Sequence, residues 1–193
     1  MHKNLLTAAT LAALTTAGMA SAATFVLFDG DDAVVDPDAN SFSLTEGSIT
    51  ATLSIVGPDA VNDEFNGAGT GFGINAAASG DETQQIDGGA GAESFDISFN
   101  VPVFFNGGTV SLTTTSDSFS VTLPDTSVTV EDGSDSFAFT TDNVVDPGEA
   151  VRIAWIEGNG FSFDSFTVTV IPEPMAAGAT GLLGLVGLRR RRA

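Results

Sequence analysis

The sequence predicts an all-β fold, an antiparallel β-sandwich of jelly-roll type, because short alternating segments rich in β-branched and aromatic residues are separated by turn residues. The chain has 193 residues, with 22 glycines and 15 phenylalanines, and charged residues make up only 16% of it. Such a composition is typical of short strands and turns, so a protein of long helices is not expected. The length suits one folded domain.

Nine segments have the alternation that is typical of strands. They span residues 24–28, 48–56, 93–101, 109–115, 119–123, 127–131, 136–141, 150–156 and 161–171. Turn sequences such as Gly57-Pro58-Asp59, Asn106-Gly107-Gly108 and Asp146-Pro147-Gly148 separate them. Residues 62–92 break the pattern and are expected to form a long, glycine-rich loop.

The alternation also predicts which phenylalanines lie in the core. In the third segment it places Phe95, Ile97 and Phe99 on one face. In the last segment it places Phe163 on the face opposite Asp164. The phenylalanines are therefore expected to be buried between the sheets.

The N-terminal residues have the organisation of a secretory signal peptide. Lys3 precedes an apolar run, residues 5–20, and small residues follow at Ala20 and Ala22, the positions that signal peptidase reads. Cleavage is expected between Ala22 and Ala23, so that residues 1–22 form a leader for export by the Sec route. Cleavage would also remove His2, the only histidine of the chain.

The last 22 residues combine three parts in immediate succession. Pro172, Glu173 and Pro174 come first, an apolar segment follows at residues 175–188, and the arginines are Arg189, Arg190, Arg191 and Arg192. As a helix the apolar segment would be about 21 Å long, against roughly 30 Å for the bilayer hydrocarbon core, so it would be a short transmembrane anchor. The arginines are expected to stay cytoplasmic, which leaves residues 23–171 on the far side of the membrane.

This tail, residues 172–193, resembles the PEP-CTERM sorting signal of Gram-negative bacteria. Proteins with that signal are substrates of exosortase, a membrane transpeptidase-like enzyme that is thought to cut near the Pro-Glu-Pro element. The resemblance implies a precursor held transiently in the inner membrane, a final place at the cell surface or outside the cell, and an association with exopolysaccharide and biofilm. The prolines cannot continue a strand ladder, so the motif is expected to be extended and accessible. A plain tail anchor is the alternative.

Between the two ends, residues 23–171 form a strongly acidic domain. The whole chain has a formal net charge of -19, only Glu173 among its 25 acidic residues lies outside this domain, and only Arg152 among its basic residues lies inside. Nucleic acid is excluded as a partner because phosphate neutralisation needs a basic surface. Binding to an anionic polysaccharide would need a bridging cation or high salt. A saline habitat alone would explain the same surface.

Calcium is the metal that this composition favours, because carboxylate oxygens are its preferred ligands. The sequences around Phe28-Asp29-Gly30-Asp31-Asp32 and Phe163-Asp164-Ser165 resemble the two ends of jelly-roll carbohydrate-binding modules, where the first strand meets the last and a structural calcium is often held. The candidate ligands are Asp29, Asp31 and Asp164. EF-hand spacing is absent, and a solvated acidic surface is the alternative reading.

No catalytic residue is predicted. The only histidine is in the leader and cysteine is absent, so the chain lacks the residues of a Ser-His-Asp or Cys-His nucleophile, and no pair of carboxylates is singled out for glycoside hydrolysis. Trp155 is the one candidate glycan contact, although it shares a face with Val151 and Ile153 and is expected in the core. The sequence therefore predicts a non-enzymatic, structural or adhesive matrix protein. The alternatives are a calcium-stabilised carbohydrate-binding module and, less favoured, a carboxylate-based glycosidase.

Overall fold

The structure is a computed structural model that describes residues 20–29, 34, 35, 37, 39–57, 63–68, 71–76, 85–89, 91–111, 113–131 and 134–172. The described chain is all-β and contains no helix. Its strands are β1 (Ala22–Val26), β2 (Ser41–Glu46), β3 (Ile49–Ile55), β4 (Asp63–Ala68), β5 (Gly71–Ala76), β6 (Ser94–Phe99), β7 (Val103–Ser111), β8 (Ser118–Thr122), β9 (Ser127–Val130), β10 (Ser136–Ala138), β11 (Val144–Val145), β12 (Ala150–Glu157) and β13 (Ser162–Val170). The segment Ala20–Ile171 is one compact unit.

The strands form two main sheets, and all their ladders are antiparallel. One sheet has the order β1-β13-β7-β10, with β11 also paired to β7, and the other has the order β2-β3-β6-β12-β8-β9. Strands β4 and β5 form a separate hairpin. Without β2 to β5 and β11, the eight remaining strands, counted along the chain, lie in the orders 1-8-3-6 and 2-7-4-5.

Phenylalanine rings join the two sheets across a shared core. The ring centroids of Phe95 in β6 and Phe163 in β13 lie 5.3 Å apart, and those of Phe99 in β6 and Phe166 in β13 lie 6.2 Å apart. All four side chains are buried, which confirms the predicted core positions of Phe95, Phe99 and Phe163. Each such pair contributes about 0.5–1.5 kcal/mol beyond the burial of its area. The sheets therefore pack face to face, as in a sandwich.

The β4–β5 hairpin extends this core. Phe65 and Phe72 stack on each other at 5.6 Å, and both contact Phe42 of β2 edge to face. The buried hydroxyl of Ser162 in β13 accepts a hydrogen bond from the amide of Phe72 at 2.7 Å. The hydroxyl of Ser162 also donates to the carbonyl oxygen of Phe72 at 3.3 Å, so two aromatic side chains and two buried hydrogen bonds fix the hairpin against both sheets.

The prediction of one long loop over residues 62–92 is wrong, since this segment contains β4 and β5. The glycines that suggested a loop serve close packing instead. A Cβ atom at Gly73 would overlap the backbone of Gln85, so only glycine allows these two segments to approach. Phe72 and Ile74, the neighbours of Gly73, supply the buried side chains.

A turn was also predicted at Asn106-Gly107-Gly108, and this prediction is wrong because β7 runs through all three residues. The strand is central, with β13 on one side and β10 on the other. A Cβ atom at Gly107 would overlap the carbonyl oxygen of Phe137 in β10, and one at Gly108 would lie 2.5 Å from the carbonyl oxygen of Ser165 in β13. Glycine here permits close approach of both neighbours, and a bulge accompanies it.

Candidate functional site

The first and last strands meet where the calcium site was predicted. Strand β1 pairs with β13 from Ala22 opposite Thr169 to Val26 opposite Ser165. Beyond the ladder, the amides of Leu27 and Phe28 both donate to the carbonyl oxygen of Asp164, at 2.7 and 3.1 Å. Since Asp29 follows Phe28 directly, the fold brings the backbones of two of the three predicted ligands to the same end of the β1–β13 ladder.

Asp164 occupies a β-bulge. Phe163 pairs with Val110 and Ser165 pairs with Thr109, so Asp164 has no opposite residue in β7. The bulge changes the alternation, and Phe163 and Phe166 are both fully buried although they are three residues apart. Asp164 lies on the other face, as predicted, and is half-buried.

The carboxylate of Asp164 already has a partner within the protein. The hydroxyl of Ser111 donates to Oδ1 at 2.8 Å. Burial raises the pKa of Asp164 above its usual value, the hydroxyls of Ser111 and Ser162 oppose this effect, and the charge of Asp135 adds to it. A cation bound here would oppose this effect of burial, because a nearby positive charge favours the ionised carboxylate.

The remaining calcium candidates give a mixed result. Asp29 is exposed and has a further contact within the chain, whereas Asp31 lies outside the described residues. Within the described ranges, no group of three or more Asp, Glu or His side chains is arranged to hold a metal ion. The calcium site therefore stays a prediction, with Asp29 and Asp164 placed near the same ladder end.

Trp155 lies on the face that its alternation predicted. Val151 and Ile153 on the same side of β12 are fully buried, and Trp155 at the end of this row is partly buried. Its six-membered ring covers Gly88, where a Cβ atom would come within 2.6 Å of ring atom Cζ3. The indole Nε1 is buried and has no hydrogen-bond partner among the residues that the structure describes. One face of the ring is thus occupied by the chain itself, which leaves less of it for a sugar.

Three buried carboxylates accept hydrogen bonds from the backbone of loops. Glu93 Oε2 accepts from the amide of Asp87 at 2.8 Å, and Asp87 Oδ1 accepts from the amide of Gly89 at 2.7 Å. Asp117 accepts from the amides of Thr114 and Asn159, at 2.5 and 2.6 Å, and so links the turn before β8 to the turn after β12. The sequence could not single out these acids among 25.

An ion pair on the outer face of the six-stranded sheet is a feature that sequence reasoning missed. Arg152 Nε donates to Asp96 Oδ1 at 2.8 Å and Nη2 donates to Oδ2 at 2.9 Å, a bidentate geometry. The hydrogen bond with Asp96 raises the pKa of Arg152. The pair lies in an open groove of about 280 Å³ whose other lining residues are Thr122, Leu123, Pro124 and Ala150. The signal in the sequence was the isolation of Arg152 as the only basic residue between positions 23 and 171.

The residues at the predicted signal-peptidase site and Pro172 of the sorting motif lie at one end of the β1–β13 ladder, and Asp164 lies near the other end. Ala22 and Ala23 begin β1, Ala20 is exposed just before it, and Pro172 is exposed two residues after β13 ends. No helix within the described residues is long and apolar enough to cross a membrane, and the predicted anchor at 175–188 lies outside them. The other predicted sorting residues outside the described part are Glu173, Pro174, Arg189, Arg190, Arg191 and Arg192.

Comparison of the chain with protein-family models, with characterised proteins and with solved structures gave no match.

Proposed function

We propose that this chain is exported by the Sec route, is processed by signal peptidase and exosortase, and becomes a structural or adhesive component of the cell surface or extracellular matrix, associated with exopolysaccharide or biofilm. The observation that carries the proposal is the tripartite C-terminal sequence: Pro172-Glu173-Pro174, the apolar segment 175–188 and the four arginines. The leader-like sequence at residues 1–22 predicts the same membrane topology as the C-terminal sequence, because each of them implies that residues 23–171 lie outside the cytoplasm.

Most of the β1–β13 ladder lies within residues 23–171. Removal of residues 1–22 would eliminate the pair of Ala22 with Thr169 and the hydrogen bond from the amide of Val170 to the carbonyl oxygen of Ser21, at 3.0 Å, whereas Ala23 would still pair with Val168. The amide of Ile171 then donates to the carbonyl oxygen of Pro102 at 3.0 Å. Residues up to Ile171 are thus held by the fold, and the Pro-Glu-Pro element begins directly after the last held residue.

We assign the sandwich to the jelly-roll class. The strand orders 1-8-3-6 and 2-7-4-5 support this assignment, because a jelly roll consists of two four-stranded antiparallel sheets formed by two Greek keys. Lectin domains are among the proteins with this fold, which favours carbohydrate binding, with calcium as a stabilising ion, as the second candidate function. That support is analogy at the level of the fold.

The sorting proposal is tested in the producing organism by changing Pro172→Ala and Glu173→Ala together. We expect the full chain to accumulate uncleaved in the membrane fraction, measured by immunoblotting and by the mass of the C-terminal peptide. Glu157→Ala, an exposed acid at the end of β12, removes the same charge outside the motif and should be processed normally. Normal removal of the C-terminal peptide from the double variant would show that the sorting assignment is wrong.

A further inference from the structure

We propose that the groove around Arg152 and Asp96 binds a sugar residue of a neutral polysaccharide. The inference rests on the proposed association with exopolysaccharide and names the chemical class of that ligand. It depends on four properties: the paired hydrogen-bond donors and acceptors of the groove, its apolar wall, the row of serine and threonine side chains that crosses the sheet beside it, and the negative charge of the surrounding protein.

The ion pair offers donors and acceptors side by side. A guanidinium group has five N–H donors, and the two hydrogen bonds to Asp96 use two of them. The Arg152 side chain is 49% exposed and that of Asp96 is 26% exposed, so both can be reached from solvent. A vicinal diol of a sugar both donates and accepts, and it can bond to the carboxylate and the guanidinium together. Because the two side chains hold each other in place, less conformational entropy is lost on binding.

The groove also has a small apolar wall. This wall is formed by Pro124, which is exposed after β8, and by Ala150, the partly buried first residue of β12, whereas Leu123, which also lines the groove, is buried in the core. The C–H face of a pyranose ring can pack on such a wall while its hydroxyls reach the ion pair. The volume of about 280 Å³ lies just below the usual range for ligand sites, about 300–1,000 Å³, so the groove suits a single sugar ring rather than a larger ligand.

Hydroxyl groups continue from the groove across the sheet. The strand register aligns Asp96 and Arg152 with one residue in each of the four remaining strands of this sheet. In order across the sheet, the row is Ser41, Ser54, Asp96, Arg152, Thr122 and Ser127. Neighbouring strands are about 4.8 Å apart, so this row extends over roughly 24 Å. A polymer of sugars crossing the strands would meet a polar side chain at each of them.

The charge of the surroundings selects a neutral ligand. Arg152 is neutralised by Asp96, and it is the only basic residue between positions 23 and 171 of a chain whose net charge is -19. A uronic acid or sulfated sugar would approach against this field, whereas an uncharged sugar would not. The groove is therefore inferred to discriminate by charge as well as by hydrogen bonding.

The test is direct binding of neutral hexasaccharides of glucose, mannose and galactose to the full chain, kept in a non-glycosidic detergent and measured by isothermal titration calorimetry. An alginate hexasaccharide is the anionic comparison. We expect saturable binding of at least one neutral probe, a dissociation constant at least ten-fold higher for Arg152→Met, and weaker or undetectable binding of alginate. Thermal unfolding of each variant shows whether it is folded.

Two further variants separate binding from structure. The exchange Asp96→Arg with Arg152→Asp can restore the ion pair and the stability but moves the guanidinium to β6, so binding should stay lost. Ser43→Ala removes a hydroxyl that bonds to Thr52 at 2.8 Å in a neighbouring row, and it should bind as the unchanged chain does. Absence of binding to all three neutral probes, equal binding by Arg152→Met, or preference for alginate would each overturn the inference. None of these results changes the processing readout of the Pro172 and Glu173 variant, so the two proposals fail separately.

Discussion

Trp155 is the only tryptophan of the chain, and its environment is unusually easy to measure. Its ring rests on the backbone of Gly88, in the turn that the carboxylates of Asp87 and Glu93 hold in place. The amide of Trp155 donates to the carbonyl oxygen of Glu93 at 3.0 Å. The fluorescence of this single side chain therefore reports on the junction between β12 and the turn before β6.

We expect Gly88→Ala to displace this ring. The added methyl group would lie within 2.6 Å of ring atom Cζ3, and overpacking of this kind costs about 1–3 kcal/mol. Denaturant unfolding should show that loss, and the emission maximum of Trp155 should move to longer wavelength as the ring becomes more exposed. In a Trp155→Leu background the same change should cost less, since the ring is gone. An unchanged emission spectrum would contradict the contact.

Asp164 gives the residue-level prediction for pH. Burial raises its pKa in the folded state, so the folded chain holds this proton more tightly than the unfolded chain does. Below the unfolded value of 3.8 the carboxyl group is protonated in both states and its contribution is fully favourable. As the pH rises through the raised folded pKa, the unfolded chain releases the proton first and that stabilisation is lost.

Asp164→Asn should therefore flatten this part of the stability profile. In chelator, its free energy of unfolding relative to the unchanged chain should increase between pH 3.8 and neutral pH, since Asn keeps an acceptor for Ser111 and carries no charge. Asp125→Asn, at an exposed turn position, removes one charge without that burial and should show a weaker dependence. Identical profiles for the two variants would show that overall charge, not burial, determines the effect.

At the level of elements, alternation and turn residues predicted most of the strands. Each of the nine predicted segments overlaps an observed strand, and the face assignments of Phe95, Phe99 and Phe163 are correct. Strands β2 and β11 were not predicted, and the two wrong predictions of a loop and a turn concern glycine. At Gly73 and Gly107 it was interpreted as a turn or loop residue, whereas its small size lets another segment approach inside a strand. A single sequence does not distinguish these two uses, because the second depends on which strand lies opposite.

Strand pairing also determines which site residues can be predicted from the sequence and which cannot. The proximity of Asp29 and Asp164 was predicted from the fold class alone, because a jelly roll pairs its first strand with its last. The structure contains that pairing. The Arg152–Asp96 pair depends on the register between β6 and β12, and the two residues are 56 positions apart in the sequence. Alternation gives the face on which each residue lies but not its partner across the sheet.

The glycine of the central strand leads to a prediction about β7. Gly107→Ala should strongly destabilise the chain, because Gly107 has a φ of 140° and its added Cβ atom would overlap Phe137 of β10. Gly148→Ala is the matched control, with a φ of 96° and no atom within 4 Å of the added Cβ, so it tests backbone strain alone. In denaturant unfolding, Gly148→Ala should lose about 1 kcal/mol and Gly107→Ala clearly more. Equal losses would mean that the approach of β10 does not depend on glycine.

At the level of the whole molecule, acidic charge is the dominant property. A net charge of -19 on 193 residues opposes compaction, and the Arg152–Asp96 pair is the one salt bridge within the described residues. Repulsion of this kind acts over distances that salt shortens, from about 30 Å at 0.01 M to about 8 Å at 0.15 M. Stability should therefore depend on ionic strength more than on any single acid.

We expect the melting temperature of the full chain to rise when sodium chloride increases from about 0.01 M to about 0.15 M. Calcium chloride at matched ionic strength separates screening from binding. An additional rise that Asp29→Asn or Asp164→Asn removes, and that Asp125→Asn retains, would establish the β1–β13 end as a calcium site, since a ligand that binds only the folded state stabilises it. Equal melting temperatures in the two salts would show that the acids act through their total charge. No rise in sodium chloride would contradict the repulsion argument itself.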